Sequence, residues 1–306
     1  PGTADSFVGQ FGDPSVFTRG GRYNGQTCAS PRTVDLRRYS AEPALWTLLG
    51  MYVGDGDRRN KGGYTVRFSV GPRDGSAYRT AIECLEALGL SYHVQGEDDR
   101  NVRIGCAARH LWQLCGPFGT SSHTKCIPEA LMGLEAKLLH ALIRGLRITD
   151  GNDRSKYGNA EYGWSIGSVS LPLLRSVQRV MLRSGLYGSI TRLARAGKAT
   201  IEGREVTISD SYTLAFINKP HRTCCKFEDG AVWLRVKKVY QRETVEPVWN
   251  LEVHEDHTYC SPLIATHNCV GLSGCLSEEL SKTEKYQAFN ALTLRGVELM
   301  VETWKH

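Results

Sequence analysis

The chain has 306 residues, 41% of them hydrophobic and 23% charged, with a net charge of +6 and ten cysteines. That content suits a globular protein long enough for two domains, and no apolar run reaches the roughly 20 residues of a membrane-spanning helix. The cysteines are scattered without a CxxC pair, which argues against a zinc site and fits reduced thiols in the cytoplasm.

Charge divides along the chain. Residues 1–220 carry 28 Lys and Arg against 20 acids, while 221–306 carry 10 against 12. An anionic partner such as nucleic acid would bind the first part, although an excess of this size also suits an ordinary solvated surface.

The chain begins at Pro1 with no initiator Met or signal-like segment, as expected of a fragment or a processed piece. Residues 1–40 are polar and Gly-rich with Arg19, Arg22, Arg32, Arg37 and Arg38; they read as an extended arm, either a linker or a phosphate-contacting flank. Leu45 to Gly56, LWTLLGMYVGDG, is an apolar helical run with Gly50 on its face and Asp55-Gly56 at its end. A basic turn, Asp57 to Lys61, leads to a strand over YTVRFSV, with Tyr64, Val66, Phe68 and Val70 on one face. A helix over 76–88 closes at Gly89, and strands SYHVQ and NVRIGC put His93, Gln95 and Arg103 on their polar side. A short helical stretch near His110 to Cys115 precedes Lys125-Cys126-Ile127-Pro128.

The same grammar then returns. LLHALIRGLRITDG holds Gly145 and ends in Asp150-Gly151, each 95 residues after its counterpart. A strand over Tyr162–Val169, a helix over Leu173–Ser184 closing at Gly185, and strands at Ser189–Arg195 and Tyr212–Ile217 lead to Lys219-Pro220. From acid to helix-ending Gly is 34 residues in one copy (55 to 89) and 35 in the other (150 to 185). From acid to Lys is 70 (55 to 125) and 69 (150 to 219). Matched offsets of this kind point to an internal duplication about a pseudo-twofold axis.

The glycines allow two helices to pack closely. Each Asp then sits at a helix C-terminus, the partially negative end, and the two would repel each other unless a divalent cation joins them. The polar strand faces, carrying Arg67, His93, Gln95 and Arg103 in the first copy and Arg192 and Arg195 in the second, suit a sheet laid along double-stranded DNA. A simply solvated sheet face has the same composition.

LLGMYVGDG and LIRGLRITDG resemble the paired motifs of single-chain LAGLIDADG homing endonucleases, and KCIP and LPLLRSVQRVMLRSGLYGSI resemble further blocks of the nucleases found inside inteins. The resemblance covers about 41–220. It implies an α+β fold of two αββαββα halves, 41–128 and 129–220, acting as a monomer that cuts both DNA strands with Mg²⁺ or Mn²⁺. It further implies Asp55 and Asp150 as metal ligands with the carbonyls of Gly54 and Thr149, and Lys125 and Lys219 close to the metals. Thr149 departs from the pattern, in which Gly or Ala usually precedes the acid.

The last stretch carries a second resemblance. VWNLEVHEDHTY and SPLIATHNC are similar to the two C-terminal blocks of the β-rich Hint protein-splicing domain of inteins, with His257, His267, Asn268 and Cys269 matching its pattern. An Asn before Cys can cyclise and break the following peptide bond, with a neighbouring His as acid, and the Cys thiol can accept an acyl group. Residues 221–268 are therefore expected as a partial Hint domain, and 269–306 as host protein or a helical tail. A complete intein opens on Cys or Ser and continues to a Thr-x-x-His block. Cys28 lacks that context, and Thr120 to His123 falls within the nuclease. An N-terminal splicing segment is thus an expected partner, and no membrane association is expected.

Overall fold

The computed structural model describes residues 3–10, 22–23, 26–27, 34–60, 63–73, 75–96, 102–153, 162–201, 203–217, 225–228, 231–234, 258–261 and 264–267. The chain divides into two compact units, Pro1–His221 and Arg222–His306.

The first unit opens with helix α1 (Ala4–Gly9), capped by Thr3, and a short pair of strands, β1 (Arg22–Tyr23) and β2 (Gln26–Thr27). A 3₁₀ turn at Leu36–Tyr39 follows. Although this stretch was expected as a polar arm, Phe7, Val8 and Leu36 are buried in the core. Helix α2 (Pro43–Asp55) starts at a proline whose fixed φ suits a first helical turn, and every residue from Leu45 to Val53 is buried. A helix apolar on all sides must be covered on all sides.

From α2 the chain runs through β3 (Gly56–Arg59), β4 (Thr65–Gly71), α3 (Ser76–Ala87), β5 (His93–Gln95), β6 (Val102–Cys106) and α4 (Arg109–Leu114). The strands form one antiparallel sheet in the order β3-β4-β6-β5. The basic residues expected as a turn after Asp55 are the edge strand β3. Its partner β4 alternates as its sequence requires, with Val66, Phe68 and Val70 buried, whereas Tyr64, just before the strand, is 40% exposed.

After a 3₁₀ turn at Glu129–Gly133 come α5 (Ala136–Asp150), β7 (Gly151–Asp153), β8 (Tyr162–Ser168), α6 (Leu171–Arg183), β9 (Gly188–Ala194), β10 (Gly197–Ile201), β11 (Arg204–Ile208) and β12 (Ser211–Ile217). The sheet order β7-β8-β12-β9 repeats that of the first half. Both α3 and α6 end in the same way. Gly89 and Gly185 take φ of +63° and +74°, and the next residue's amide bonds back to Leu85 O or Met181 O. This is the left-handed glycine termination that leaves few helix carbonyls unpaired.

The halves differ at β10 and β11, a hairpin inserted between β9 and β12 that the sequence reading did not anticipate. They meet along α2 and α5, whose apolar faces pack into one continuous core. In the second unit the described residues form two hairpins, β13 (Cys225–Glu228) with β14 (Ala231–Leu234), and β15 (Thr258–Ser261) with β16 (Ile264–His267).

Candidate active site

The α2–α5 contact is close because glycine faces backbone on both sides. A Cβ on Gly50 would lie 1.9 Å from Leu142 O, and one on Gly145 would lie 1.9 Å from Thr47 O. The next turn brings Gly54 opposite Thr149, and a Cβ on Gly54 would fall 2.0 Å from Thr149 Oγ1 and 3.5 Å from Asp150 Cγ. Thr149 is thus accommodated because its counterpart is Gly. Its hydroxyl donates back to Leu146 O at 3.0 Å.

Both helices end at the next residue, and Asp55 and Asp150 line one open cleft of about 430 Å³ with Gly54 and Lys125. The far wall includes Ser168 and Tyr212. Burial pushes the Asp150 carboxyl up to about 6, helped by the charge of Asp55 and opposed by Lys125. Burial also raises Asp55, again opposed by Lys125. Asp55 is the more exposed of the two, which fits the larger shift at Asp150.

Lys125 is only 5% exposed. Its Nζ donates to Tyr52 O and, at 3.0 Å, to Gly56 O, and lies 3.5 Å from the centre of the Tyr52 ring. Burial lowers it to about 8, against the charges of Asp150, Asp57 and Asp55. Ser170, the N-cap of α6, fixes the Lys125 main chain by donating to its carbonyl at 2.6 Å. The Tyr52 hydroxyl donates to Gly119 O at 2.7 Å, tying the loop that carries Lys125 to α2.

Among the described residues no three His, Cys, Asp or Glu side chains converge. A cation here would rest on two carboxylates and main-chain oxygen. This donor set fits Mg²⁺ or Mn²⁺, hard ions that keep several waters and often take only one or two protein carboxylates.

Residues 137–219 match the model of a LAGLIDADG-like domain. An iron–sulfur cluster assembly SufBD family protein of Mycobacterium tuberculosis is 27% identical over 157 residues, covering 49% of this chain and 18% of that protein. A DNA polymerase of Thermococcus hydrothermalis is 27% identical over 152 residues, covering 48% of this chain and 9% of the polymerase. The chain thus spans less than a fifth of either relative. Among solved structures, the homing endonuclease I-DmoI in complex with DNA and Ca aligns at TM-score 0.40 and 14% identity, covering 57% of this chain and 82% of that one. Full-length DUF199/WhiA from Thermatoga maritima aligns at TM-score 0.37 and 15% identity, covering 56% and 50%.

The LAGLIDADG-like domain begins at the second residue of α5 and ends just after β12, so it corresponds to the second half. In the first half, cross-strand pairing sets Asp57, Arg67, Gly105 and His93 in one row and Ser69, Arg103 and Gln95 in the next. Arg67, His93, Gln95 and Arg103 therefore share one sheet face. Arg67 is engaged there, with Nε and a terminal nitrogen on the Asp57 carboxylate at 3.0 and 2.5 Å.

In the second half a register shift between Ser211 and Tyr212 leaves Leu193 unmatched and 72% exposed. Before the shift the register is regular and Arg192 lies opposite Tyr212, on the face that carries the buried Leu214, and Arg192 pairs with Asp210 at 3.6 Å. Arg195 is exposed between β9 and β10. Lys219, His257, Asn268 and Cys269 lie outside the described residues, as does the side chain of His267. The sequence reading passed over Tyr52; its place one turn before Asp55, a phenol on an otherwise apolar stretch, was the available signal.

Proposed function

We propose that this chain is a metal-dependent, site-specific DNA endonuclease carried inside a protein-splicing element. One observation carries the nuclease reading: Asp55 and Asp150, at the ends of two helices crossing on paired glycines and each leading into one of two matching four-stranded sheets, enter one cleft. The carboxylates of Asp55 and Asp150, with the carbonyls of Gly54 and Thr149, would hold the cation. When bound, that cation supplies charge neutralisation at the scissile phosphate and acidifies its water. The chain's own part is to keep both acids ionised and facing one point, and to lay the row of Arg67, His93, Gln95 and Arg103 along the duplex. A twofold pair of acids suits a duplex, whose two strands present phosphates related by a twofold axis.

The passenger reading draws support from the relatives. Similarity over 157 and 152 residues occurs in an iron–sulfur assembly protein and in a DNA polymerase, where it occupies 18% and 9% of the length. Their named activities have nothing in common, as expected if the shared segment is an insert. Within this chain, Thr258 of β15 pairs with His267 of β16, and splicing would use His257, His267, Asn268 and Cys269.

The test is cleavage of a plasmid carrying the host gene without its insert. Mg²⁺-dependent linear product is expected, with loss in Asp55→Asn and in Asp150→Asn. Cleavage that survives in both variants would overturn the metal assignment, and tight binding without nicking would favour a DNA-binding regulator. The pairing of β15 with β16 gives a second reading its footing, a C-terminal trans-splicing partner whose nuclease has decayed. Ligated product after mixing with N-terminal intein fragments, absent in Asn268→Ala, would support it.

A further inference from the structure

Lys125 lines the same cleft as the two acids, yet its ammonium is turned into the protein. It is 5% exposed, donates to a carbonyl in the last turn of α2 and to the first carbonyl of β3, and lies against the Tyr52 ring. An ammonium has three donors, and two are spent on Tyr52 O and Gly56 O. Its main chain is held by Ser170 from the opposite half and its loop by the Tyr52 hydroxyl. Reaching a phosphate would mean breaking both bonds and withdrawing a buried ammonium from the Tyr52 ring, a cost no exposed lysine bears.

The second half offers no matching seat. Position 147, 95 residues after Tyr52, is Arg, and its guanidinium lies 5.6 Å over the Trp164 ring. A lysine arriving there would meet a like charge where Lys125 meets an aromatic face. Lys125 lines one cleft with both acids, while its ammonium bonds only to main chain of the first half, Tyr52 O and Gly56 O.

We propose that Lys125 is a positioning residue that never touches DNA: one inward-facing ammonium closes the α2 C-terminus and serves as the shared internal counter-charge of Asp55 and Asp150. The idea rests on the cation-site reading above. Its consequence is a trade. The ammonium steadies the acid pair when no metal is present and opposes the cation when one arrives, so removing it should tighten cation binding while loosening the end of α2.

Two measurements decide this without any cleavage assay. Wild-type protein is treated with an amine-acetylating ester, with and without duplex DNA, and mapped by mass spectrometry. Lys125 is expected to stay unmodified in both; acetylation that DNA suppresses would overturn the proposal. Terbium(III), a hard oxygen-seeking ion with luminescence on binding, is then titrated into wild type, Lys125→Met and Lys125→Gln at neutral pH. Both neutral variants are expected to bind about threefold or more tightly, an effect of removing one nearby charge, with unchanged affinity for duplex DNA. Unaltered terbium affinity with weakened DNA binding would overturn it. A merely structural role would weaken terbium binding, and circular dichroism identifies a variant that has not folded, in which case acetylation alone decides. Loss of terbium binding in Asp55→Asn tests the cation site itself, so failure of that site and failure of the lysine's role give different results.

Discussion

At one level of the α2–α5 seam the two halves are interchangeable, and one turn further on they are not. Gly50 and Gly145 face carbonyls of the opposite helix at the same 1.9 Å from an added Cβ. Gly54 faces Thr149, and Tyr52 corresponds to Arg147. Backbone contact tolerates no side chain on either side, so both glycines keep the twofold. The surroundings of each acid are open to side chains, and there the halves have diverged, leaving Asp150 at about 6 with Lys125 bound to the other helix.

The largest effects should come from the level that is symmetric. Gly50→Ala and Gly145→Ala each drive a Cβ into a main-chain carbonyl that cannot rotate away, so each should destabilise by about 3 kcal/mol or more. Thermal melts of the two should agree within about 1 kcal/mol; a large gap between them would break the twofold account of the seam.

Asp55→Asn and Asp150→Asn come next, with cleavage expected to fall by about 10³-fold or more as charge stabilisation at the phosphate is lost. Asp150→Asn should also stabilise the metal-free fold. The folded pKa of Asp150 lies above its unfolded value, so the stability linked to this group is fully present below the unfolded value and is lost as pH rises through about 6. At pH 7 the ionised carboxylate therefore costs stability, about 1–2 kcal/mol after allowing for its partial exposure, and the melting temperature of the Asn variant should rise.

The same carboxyl predicts a pH profile. Because protons compete with the cation for Asp150, cation affinity should fall as pH drops through about 6, approaching tenfold per unit below it. A titration flat from pH 7 to 5 would mean that Asp150 is not a ligand. Smallest of all, Arg67→Ala should cost at most about 1 kcal/mol of stability, since its partner Asp57 is half exposed, and a target-binding defect beyond that would show that this pair reaches the duplex.

The two acids, the paired glycines and the helix-ending Gly89 and Gly185 were legible in the sequence because each follows a local rule repeated at a fixed offset. The β10–β11 hairpin was not, although Gly203, with φ +79°, separates the alternating segments of its two strands. The register shift at Leu193 could not be read either: one unmatched residue reverses the face taken by the residues that follow it, and a bulge leaves no mark in an alternating pattern. Nor could the burial of Phe7 and Val8 be read from a stretch otherwise polar.

By itself the sequence determined that there are two copies, where each helix stops and which acids stand at the ends, since periodicity, glycine and capping act over a few residues. Only the tertiary structure decided which way Lys125 points. That direction depends on the Tyr52 ring, on carbonyls more than sixty residues away and on Ser170 from the other half, and burial among such distant groups turns a cationic side chain inward, where the resemblance implied only a place close to the metals.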